Sequence, residues 1–174
     1  MEILCGDYSI KLQKIDSKSE MKEVLAKHKK GAIELEEPEY HCECFILSYR
    51  FYAENERFGI GIYSETPEFS PKIVSHYSDN EILIIYNNHL TLFNLGERKI
   101  CFSYASDSVI YFSKFFRDTI VLVSELSIVQ LRKNGDVYVT HTLDDVLESF
   151  EFEGDAITCR TMSSCTTKRK LVTP

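Results

Sequence analysis

Hydrophobic residues near the start of the chain recur at the spacing of an α-helix. The apolar positions are Met21, Val24, Leu25 and His28. The preceding segment Ser17–Glu20 has the form of a capping box, in which a serine and a glutamate satisfy free amide groups at a helix start. Gly31 supplies a stop signal. We therefore predict one amphipathic helix over residues 17–30, packed against a sheet.

From residue 32 to residue 142 the pattern changes to the two-residue period of β-strands. The alternation is clearest over residues 41–52. One face of this strand would carry His41, Glu43, Phe45, Leu47, Tyr49 and Phe51, and the other Cys42, Cys44, Ile46, Ser48, Arg50 and Tyr52. The next predicted strand, Phe58–Tyr63, contains Gly59 and Gly61. Glycines inside a strand indicate a bulge or the close approach of another segment.

Turn residues between apolar runs predict hairpins in the second half of the chain. Asn87 and Asn88 tolerate the positive φ angles of a tight turn. The segment 133–136, Lys-Asn-Gly-Asp, is the strongest hairpin signal. The predicted strands are 81–86, 89–95, 99–104, 108–113, 119–123, 127–132 and 137–142. The pattern leaves residues 144–150 open between a short helix and a further strand.

An internal repeat relates two parts of this region. Glu81–Tyr86 followed by Leu90–Phe93 is similar to Thr119–Ser124 followed by Ile128–Leu131, at an offset of 38 residues. This period lies in the range of a four-stranded propeller blade. Residues 72–160 therefore resemble β-propeller blade repeats, although the Trp-Asp dipeptide of many blades is absent. At about 40 residues per blade, we do not expect this chain to close a ring by itself.

The pattern as a whole predicts an all-β, or mainly β, fold of repeated antiparallel hairpins and meanders, with one N-terminal helix. The chain has 174 residues, of which 44% are hydrophobic, enough for one domain with a sizeable core. We place this single domain at residues 1–160. The segment 161–174 is polar and basic, and we predict a flexible tail. A docking arm onto an acidic segment is the alternative.

Neither the amino terminus nor the apolar runs direct the chain to a membrane or out of the cell. The first residues lack the basic and apolar regions of a secretory signal, and the aliphatic runs are far shorter than the roughly 20 residues of a spanning helix. We expect a cytoplasmic protein whose six cysteines are reduced and mostly buried. The net charge of −7 argues against nucleic acid or an anionic membrane as partner.

Candidate catalytic and metal-binding motifs are incomplete in this sequence. In His41-Cys42-Glu43-Cys44 the histidine and the thiols would point to opposite faces of a strand, and no second ligand pair completes a zinc site. His141 lies near Asp144 and Asp145 without a Gly-x-Ser-x-Gly elbow. Cys101 lies between apolar residues, where burial makes a thiol inert. We predict no catalytic residue, no metal and no cofactor; a hydrolase or metal enzyme remains the third-ranked function.

The acidic residues are concentrated in two segments. Residues 31–49 (the first acidic segment) and 134–159 (the second acidic segment) hold 12 of the 27 acids and no Lys or Arg. The other 15 acids are outnumbered by 20 bases, which leaves a charge of +5 there. Two ordinary solvated strand faces are one interpretation; a surface that steers and holds a basic protein is the other. The predicted partner-binding residues are Glu34, Glu36, Glu37, Glu39, Asp144, Asp145, Glu148, Phe150, Glu151, Glu153 and Asp155.

In size, acidity and lack of a catalytic motif the chain is similar to small bacterial toxin-immunity proteins. The resemblance implies a non-catalytic protein that neutralises a basic toxin, such as a nuclease, by covering its active site. The acids would then imitate phosphate, and nearby Tyr and Phe side chains would anchor the partner. The alternative is a structural or assembly module that forms a homo-oligomer through its β edges.

Overall fold

The computed structural model describes residues 2–35, 37, 39–40, 42–65, 67, 70–76 and 80–172. This part of the chain contains one helix and 16 strands in four sheets, which confirms the predicted mainly β fold. Within it, no helix is long and apolar enough to cross a membrane. The elements are β1 (Glu2–Cys5), β2 (Tyr8–Ile15), α1 (Lys18–Ala26), β3 (Ala32–Glu34), β4 (Glu43–Phe51), β5 (Phe58–Ser64), β6 (Lys72–His76), β7 (Glu81–Tyr86), β8 (His89–Asn94), β9 (Lys99–Ala105), β10 (Ile110–Phe116), β11 (Thr119–Ser124), β12 (Ser127–Arg132), β13 (Val137–Thr142), β14 (Leu147–Glu153), β15 (Ala156–Thr161) and β16 (Thr166–Lys170).

The chain forms two compact units, whereas the sequence predicts a single domain over residues 1–160. Unit 1 comprises Met1–Asn87 and Thr91–Cys101, and unit 2 comprises Asn88–Leu90 and Phe102–Pro174. Unit 1 contains two clusters of buried hydrophobic side chains, one of them between α1 and its sheet. Unit 2 contains a third cluster of its own. Each unit therefore contains buried hydrophobic side chains that pack within that unit.

The strand β4 lies at the centre of a five-stranded sheet in unit 1, in the order β1-β2-β4-β5-β3. One face contributes Phe45, Leu47 and Tyr49 to the larger cluster, and the other contributes Cys44 and Ile46 to the cluster beneath the helix. Both faces are buried, which is why hydrophobic side chains occur at consecutive positions. The alternation predicted for residues 41–52 is confirmed for Glu43–Phe51, while His41 lies outside the described residues.

The helix α1 begins as predicted but ends four residues earlier. The amide of Glu20 donates to Ser17 Oγ at 3.2 Å, as in a capping box. Beyond Ala26, the amide of His28 bonds the carbonyl three residues back at 3.0 Å, which tightens the last turn. The ring Nδ1 of His28 lies 2.9 Å from the carbonyl oxygen of Val24, the acceptor that the His28 amide would use in a continuing helix. The side chain thus competes with the helix for this carbonyl.

The two glycines of β5 allow α1 to approach the sheet closely, as the sequence predicts. A Cβ atom on Gly59 would lie 2.8 Å from Leu25 Cδ2 and 3.1 Å from the ring of His28. On Gly61 it would lie 3.0 Å from Leu25 Cδ1 and 3.2 Å from Met21 Sδ. All four distances are shorter than an ordinary van der Waals contact. A larger residue at either position would require these side chains or the helix to shift.

Residues 72–142 form two successive four-stranded meanders, β6-β7-β8-β9 and β10-β11-β12-β13. The predicted hairpins are confirmed: Asn87 has a φ of +52° between β7 and β8, and Gly135 has a φ of +91° between β12 and β13. Corresponding strands begin at Glu81 and Thr119, which reproduces the repeat found in the sequence. The strand β10 begins at Ile110, two residues later than predicted.

The last sheet, β14-β15-β16, has three strands in the described residues. Residues 144–150, which the sequence left open, lead into the strand β14 rather than into a helix. The strand β16 lies inside the segment 161–174 that the sequence predicts as a flexible tail. It pairs with β15 along five residues, and the amide of Leu171 then donates to the carbonyl of Asp155 at 2.7 Å. The pairing satisfies backbone groups that a free tail would leave to water.

Replacing Gly135 by alanine is expected to lower the free energy of unfolding of unit 2 by about 2 kcal/mol. The new methyl group would enter a left-handed backbone conformation and lie 2.8 Å from the ring of Phe102. Gly154→Ala is the matched control, because Gly154 has a φ of +60° but no atom within 4 Å of its added Cβ. For the control, urea unfolding should show a decrease in the free energy of unfolding of about 1 kcal/mol. Equal losses in both variants would contradict a role for the Phe102 contact.

Candidate partner-binding surface

The first acidic segment is held in place by side chains from other parts of unit 1. The hydroxyl of Tyr63 on β5 donates a hydrogen bond to Glu34 at the end of β3. The ammonium group of Lys18, at the start of α1, forms an ion pair with Glu37. Glu36 lies outside the described residues. The predicted acids Glu34 and Glu37 are therefore close together, and each has a partner within the chain.

Tyr63 links these two acids. Burial and, secondly, its hydrogen bond to Glu34 raise the pKa of Tyr63, so the hydroxyl stays protonated and acts as a donor. The Nζ atom of Lys18 lies 5.8 Å from the centroid of the Tyr63 ring. Glu34 and Glu37 also raise the pKa of the buried Cys44 thiol, after burial itself. Glu34 and Glu37 therefore both lie near Tyr63 and Cys44, at one end of β4 and β5.

A second lysine pairs with the acid of the first acidic segment that lies on β4. Lys14 of β2 forms an ion pair with Glu43 of β4, whose side chain is largely covered. The sequence places Glu43 in the first acidic segment, but it did not identify Lys14 or Lys18 as partners of these acids, because both precede the segment by many positions. The acids are segregated along the sequence, but in the folded chain lysines from other segments balance part of their negative charge.

Two neighbouring side chains of this segment remain exposed. Glu39 is exposed and enters no ion pair that the described residues show. Tyr40, next to it, is 78% exposed, which is unusual for a large aromatic ring. The sequence prediction included Glu39 but did not name Tyr40. One sequence signal could have indicated that Tyr40 is exposed. It follows a glutamate and lies outside the predicted alternating strand.

In the second acidic segment, three of the seven acids pair with bases of the same sheet. Glu148 lies 3.0 Å from Arg160 Nε. Glu153 pairs with Lys168. Asp155 lies 3.6 Å from Lys170 Nζ. Lys168 and Lys170 belong to β16. The basic C-terminal segment therefore lies against the second acidic segment, as in the alternative prediction of a docking arm. Glu151 is exposed on β14, opposite Thr158.

The loop before β14 uses its two aspartates to support the backbone. Thr161 Oγ1 donates to Asp144 Oδ1 at 3.2 Å. The amide of Val146 donates to Asp145 Oδ1 at 2.8 Å. A hydrogen bond from the thiol of Cys165 is the main cause that lowers the pKa of Asp144. Both carboxylates brace this loop, which is an ordinary role for Asp beside a turn.

Phe150 packs within unit 2 rather than standing out from it. The rings of Phe150 and Phe152 are half-buried, and their centroids lie 5.5 and 5.6 Å from that of Phe112 on β10. Lys114 Nζ lies 3.4 Å from the centroid of Phe152, and burial lowers the pKa of this lysine. These rings flank the core of unit 2. The predicted aromatic anchor is thus engaged inside the unit.

The side chains considered for chemistry are dispersed. Among the described residues, no group of three or more His, Cys, Asp and Glu side chains is placed to hold a metal ion. All six cysteines are free thiols. Three of them are buried and three exposed, and Cys101, which the sequence predicts to be buried, is exposed. The reason is that β9 is an edge strand whose outer face is not covered.

Unit 2 is expected to lose stability as the pH falls below about 6.5, the ordinary pKa of histidine. Burial and, secondly, nearby Arg169 lower the pKa of His141, and its buried Nε2 has no hydrogen-bond partner among the described residues. The folded state therefore binds a proton less readily than the unfolded state, and acid favours unfolding. Thermal unfolding of wild type and His141→Gln between pH 5 and 8 measures this effect. Above about pH 7.5 the difference between their stabilities should no longer change with pH, because the histidine is then neutral in both states. Identical pH profiles would contradict the assignment.

Comparison with known proteins informs the fold. No protein-family model and no curated protein sequence matches this chain. The computationally designed Ika4 protein is similar with a TM-score of 0.53 and 8% identity, over 81% of this chain and 90% of its own. BamB from Moraxella catarrhalis, which is β-propeller-like, has a TM-score of 0.52 and 10% identity, over 72% of this chain and 38% of BamB. These likenesses support propeller-blade-like repeats and lend no support to toxin immunity.

Proposed function

We propose that this protein is a non-catalytic binding module that recognises a basic protein through the Tyr40 patch, defined as Glu37, Glu39 and Tyr40. The observation that carries the proposal is the 78% exposed ring of Tyr40, which directly follows the exposed Glu39 in the chain. Tyrosine is enriched among the residues that dominate binding energy at interfaces, because it offers a large rigid surface with one polar end. Acids around such a ring attract a basic partner and orient it.

The ion pair at the edge of the patch is suited to exchange. Lys18 and Glu37 are both partly exposed, and such pairs contribute only about 0–1 kcal/mol to stability. An arginine or lysine of a partner can therefore take the place of Lys18 at small cost. Glu39, which has no ion pair in the described residues, offers a further carboxylate.

Toxin immunity is the specific form of this proposal. In that form the partner is a basic toxin, such as a nuclease, and both proteins meet in the cytoplasm. An acidic patch with an aromatic anchor suits an active site that normally binds phosphate, because carboxylates can imitate its charge. The net charge of −7 is the property that supports this form.

Binding to a panel of purified basic nucleases, at low and high salt, tests both forms. We expect at least one nuclease to bind at low salt and to associate more slowly at high salt. Tyr40→Ala should weaken binding about 10-fold or more. Tyr52→Ala is the matched control, because Tyr52 is 79% exposed in the same unit but lies outside the acidic segment. Inhibition of the bound nuclease supports the immunity form; binding without inhibition supports only the general one.

Charge reversal separates the two acidic segments. The double variant Glu37→Lys/Glu39→Lys should abolish binding at low salt, whereas Glu148→Lys/Glu151→Lys in unit 2 should leave most of it. If no basic nuclease binds at low salt, the immunity form with a nuclease as partner fails. If Tyr40→Ala and Tyr52→Ala bind equally well, the proposal that the Tyr40 patch is the binding surface fails. Equal losses in the two charge variants would indicate general electrostatic attraction without a defined patch.

Assembly through a β edge is the second candidate function. The sheet β14-β15-β16 has three strands, whereas the two meanders have four. Because β16 lies at the edge of this sheet, one of its sides is unpaired within the described residues. Such an edge can pair with a strand of a second copy. Light scattering after size-exclusion chromatography tests this function. It predicts an oligomer that persists at high salt, and a monomer at every concentration would exclude it.

A further inference from the structure

Unit 1 contains a small polar cavity of about 210 Å³ that the partner-binding surface does not use. It lies where the start of β2, the end of β4 and the turn between β8 and β9 come together. Aromatic rings form part of its wall: the Tyr49 hydroxyl donates to the carbonyl of Leu95 at 3.0 Å, and the Tyr49 ring lies 5.4 Å from that of Phe58. These contacts give the cavity a firm boundary.

The turn between β8 and β9 forms one side of the cavity. Gly96 lines this side, and a Cβ atom there would already lie 3.4 Å from the hydroxyl oxygen of Tyr8. Two residues later, Arg98 takes a left-handed conformation with a φ of +56°. Burial raises the pKa of Tyr8, and Arg98 opposes this rise because its guanidinium lies nearby. A hydroxyl donor and a guanidinium thus face the same space.

Positive charge prevails in the lining of the cavity. Lys30 Nζ lies 3.2 Å from Glu54 Oε1, and Arg98 Nη2 lies 3.7 Å from Glu54 Oε2, so two cations share one carboxylate. The second acid of the lining, Glu56, lies 3.6 Å from Lys29, which is not part of the lining. Arg50 completes the cationic set.

One nitrogen of the Arg50 guanidinium lacks an acceptor in the part of the chain that the structure describes. Its Nε atom is buried and has no hydrogen-bond partner among the described residues. A buried donor without a partner is costly, and native proteins usually satisfy it with protein, water or ligand. The edge of a guanidinium formed by Nε and one Nη matches two oxygens of a carboxylate or a phosphate. An oxyanion is therefore the class of ligand that suits the cationic side chains lining this cavity.

We propose that this cavity binds a small oxyanion, with Arg50 as the main donor and Lys30, Arg98 and Tyr8 around it. The volume admits a phosphate or a short carboxylate and excludes a folded partner. Glu54 then acts as an internal competitor, because it holds Lys30 and Arg98 when the site is empty. This site is independent of the Tyr40 patch, since none of its lining residues belongs to that patch.

Titration of the full chain with inorganic phosphate and with acetate, followed by calorimetry or by NMR, tests the proposal. Both are oxyanions, and the tighter one identifies the tetrahedral or the planar class as the ligand. Arg50→Gln should weaken binding about 10-fold or more, the loss of a charge-assisted hydrogen bond. Arg50→Lys keeps the charge but lacks the paired donors, so its binding should also be weaker. Lys11→Gln is the control, because Lys11 is exposed on β2 outside the cavity.

The two acids of the lining provide the sharpest comparison. Glu54→Gln and Glu56→Gln change the net charge equally, but only Glu54 holds two cations of the cavity. Anion binding should therefore tighten more in Glu54→Gln than in Glu56→Gln. Circular dichroism checks that each variant is folded, and Arg98→Gln replaces Arg50→Gln if the latter does not fold. Absence of saturable binding by wild type, or equal binding by Arg50→Gln and Lys11→Gln, overturns the proposal.

Discussion

Replacing Leu47 by alanine is expected to lower the free energy of unfolding of unit 1 by about 4 kcal/mol. Leu47 is 0% exposed at the centre of β4, and it is paired with Leu12 on one side and Ile60 on the other. Removing its side chain leaves a void that neighbouring strands cannot fill, because backbone hydrogen bonds hold them on both sides. Urea unfolding, followed by the fluorescence of tyrosine, measures the loss.

Leu4→Ala is the matched control for this variant. Leu4 lies in the same sheet on β1, but it is 66% exposed. The same chemical change there should alter the free energy of unfolding by about 0.5 kcal/mol or less. A loss at Leu47 no larger than that at Leu4 would contradict the position of Leu47 in the core of unit 1.

Replacing Gly59 by valine is expected to destabilise unit 1 by about 3 kcal/mol. A Cβ atom at this position lies 2.8 Å from Leu25 Cδ2 and 3.1 Å from the ring of His28. The ring has little freedom to move, because its two nitrogens lie 2.9 Å from Val24 O and from Ser48 Oγ. The helix α1 must therefore move away from the sheet.

Gly96→Ala is the control for Gly59→Val, because the nearest atom to its added Cβ is 3.4 Å away. Its stability should stay within about 1 kcal/mol of wild type. Gly59→Val has a second expected consequence: Lys18 at the start of α1 moves with the helix, so its ion pair with Glu37 changes. Leu47→Ala leaves that helix in place. An unchanged unfolding curve for Gly59→Val would contradict the close packing of α1.

Features of the fold that depend on neighbouring residues could be predicted from the sequence. The capping serine Ser17, the hairpins at Asn87 and Gly135 and the alternation through β4 all follow from local preferences of backbone and side chain. The glycines of β5 also indicated a close approach before the approaching helix was known. The end of the helix was not predictable, because it depends on a hydrogen bond from the ring of His28.

The bases that pair with the acids of the predicted site could not be identified from the sequence. The acids of both segments were identified, but a linear count of charge cannot show that Lys14, Lys18 and Lys168 would neutralise several of them. Phe150 reads as an exposed aromatic between two acids, yet it packs against Phe112, which lies 38 positions earlier in the chain. The exposed ring of Tyr40 was overlooked for the opposite reason, since only its surroundings reveal that nothing covers it.

The sequence by itself determined that this chain forms antiparallel hairpins of blade-like period with one amphipathic helix. Periodicity and turn chemistry act over a few residues, so they can be recognised without a structure. Only the tertiary structure decided which charges meet, because pairing of strands brings distant residues together. It turned the basic segment at residues 166–170 into a strand beside acids and left Tyr40 exposed. It also buried the Nε atom of Arg50 with no acceptor among the described residues.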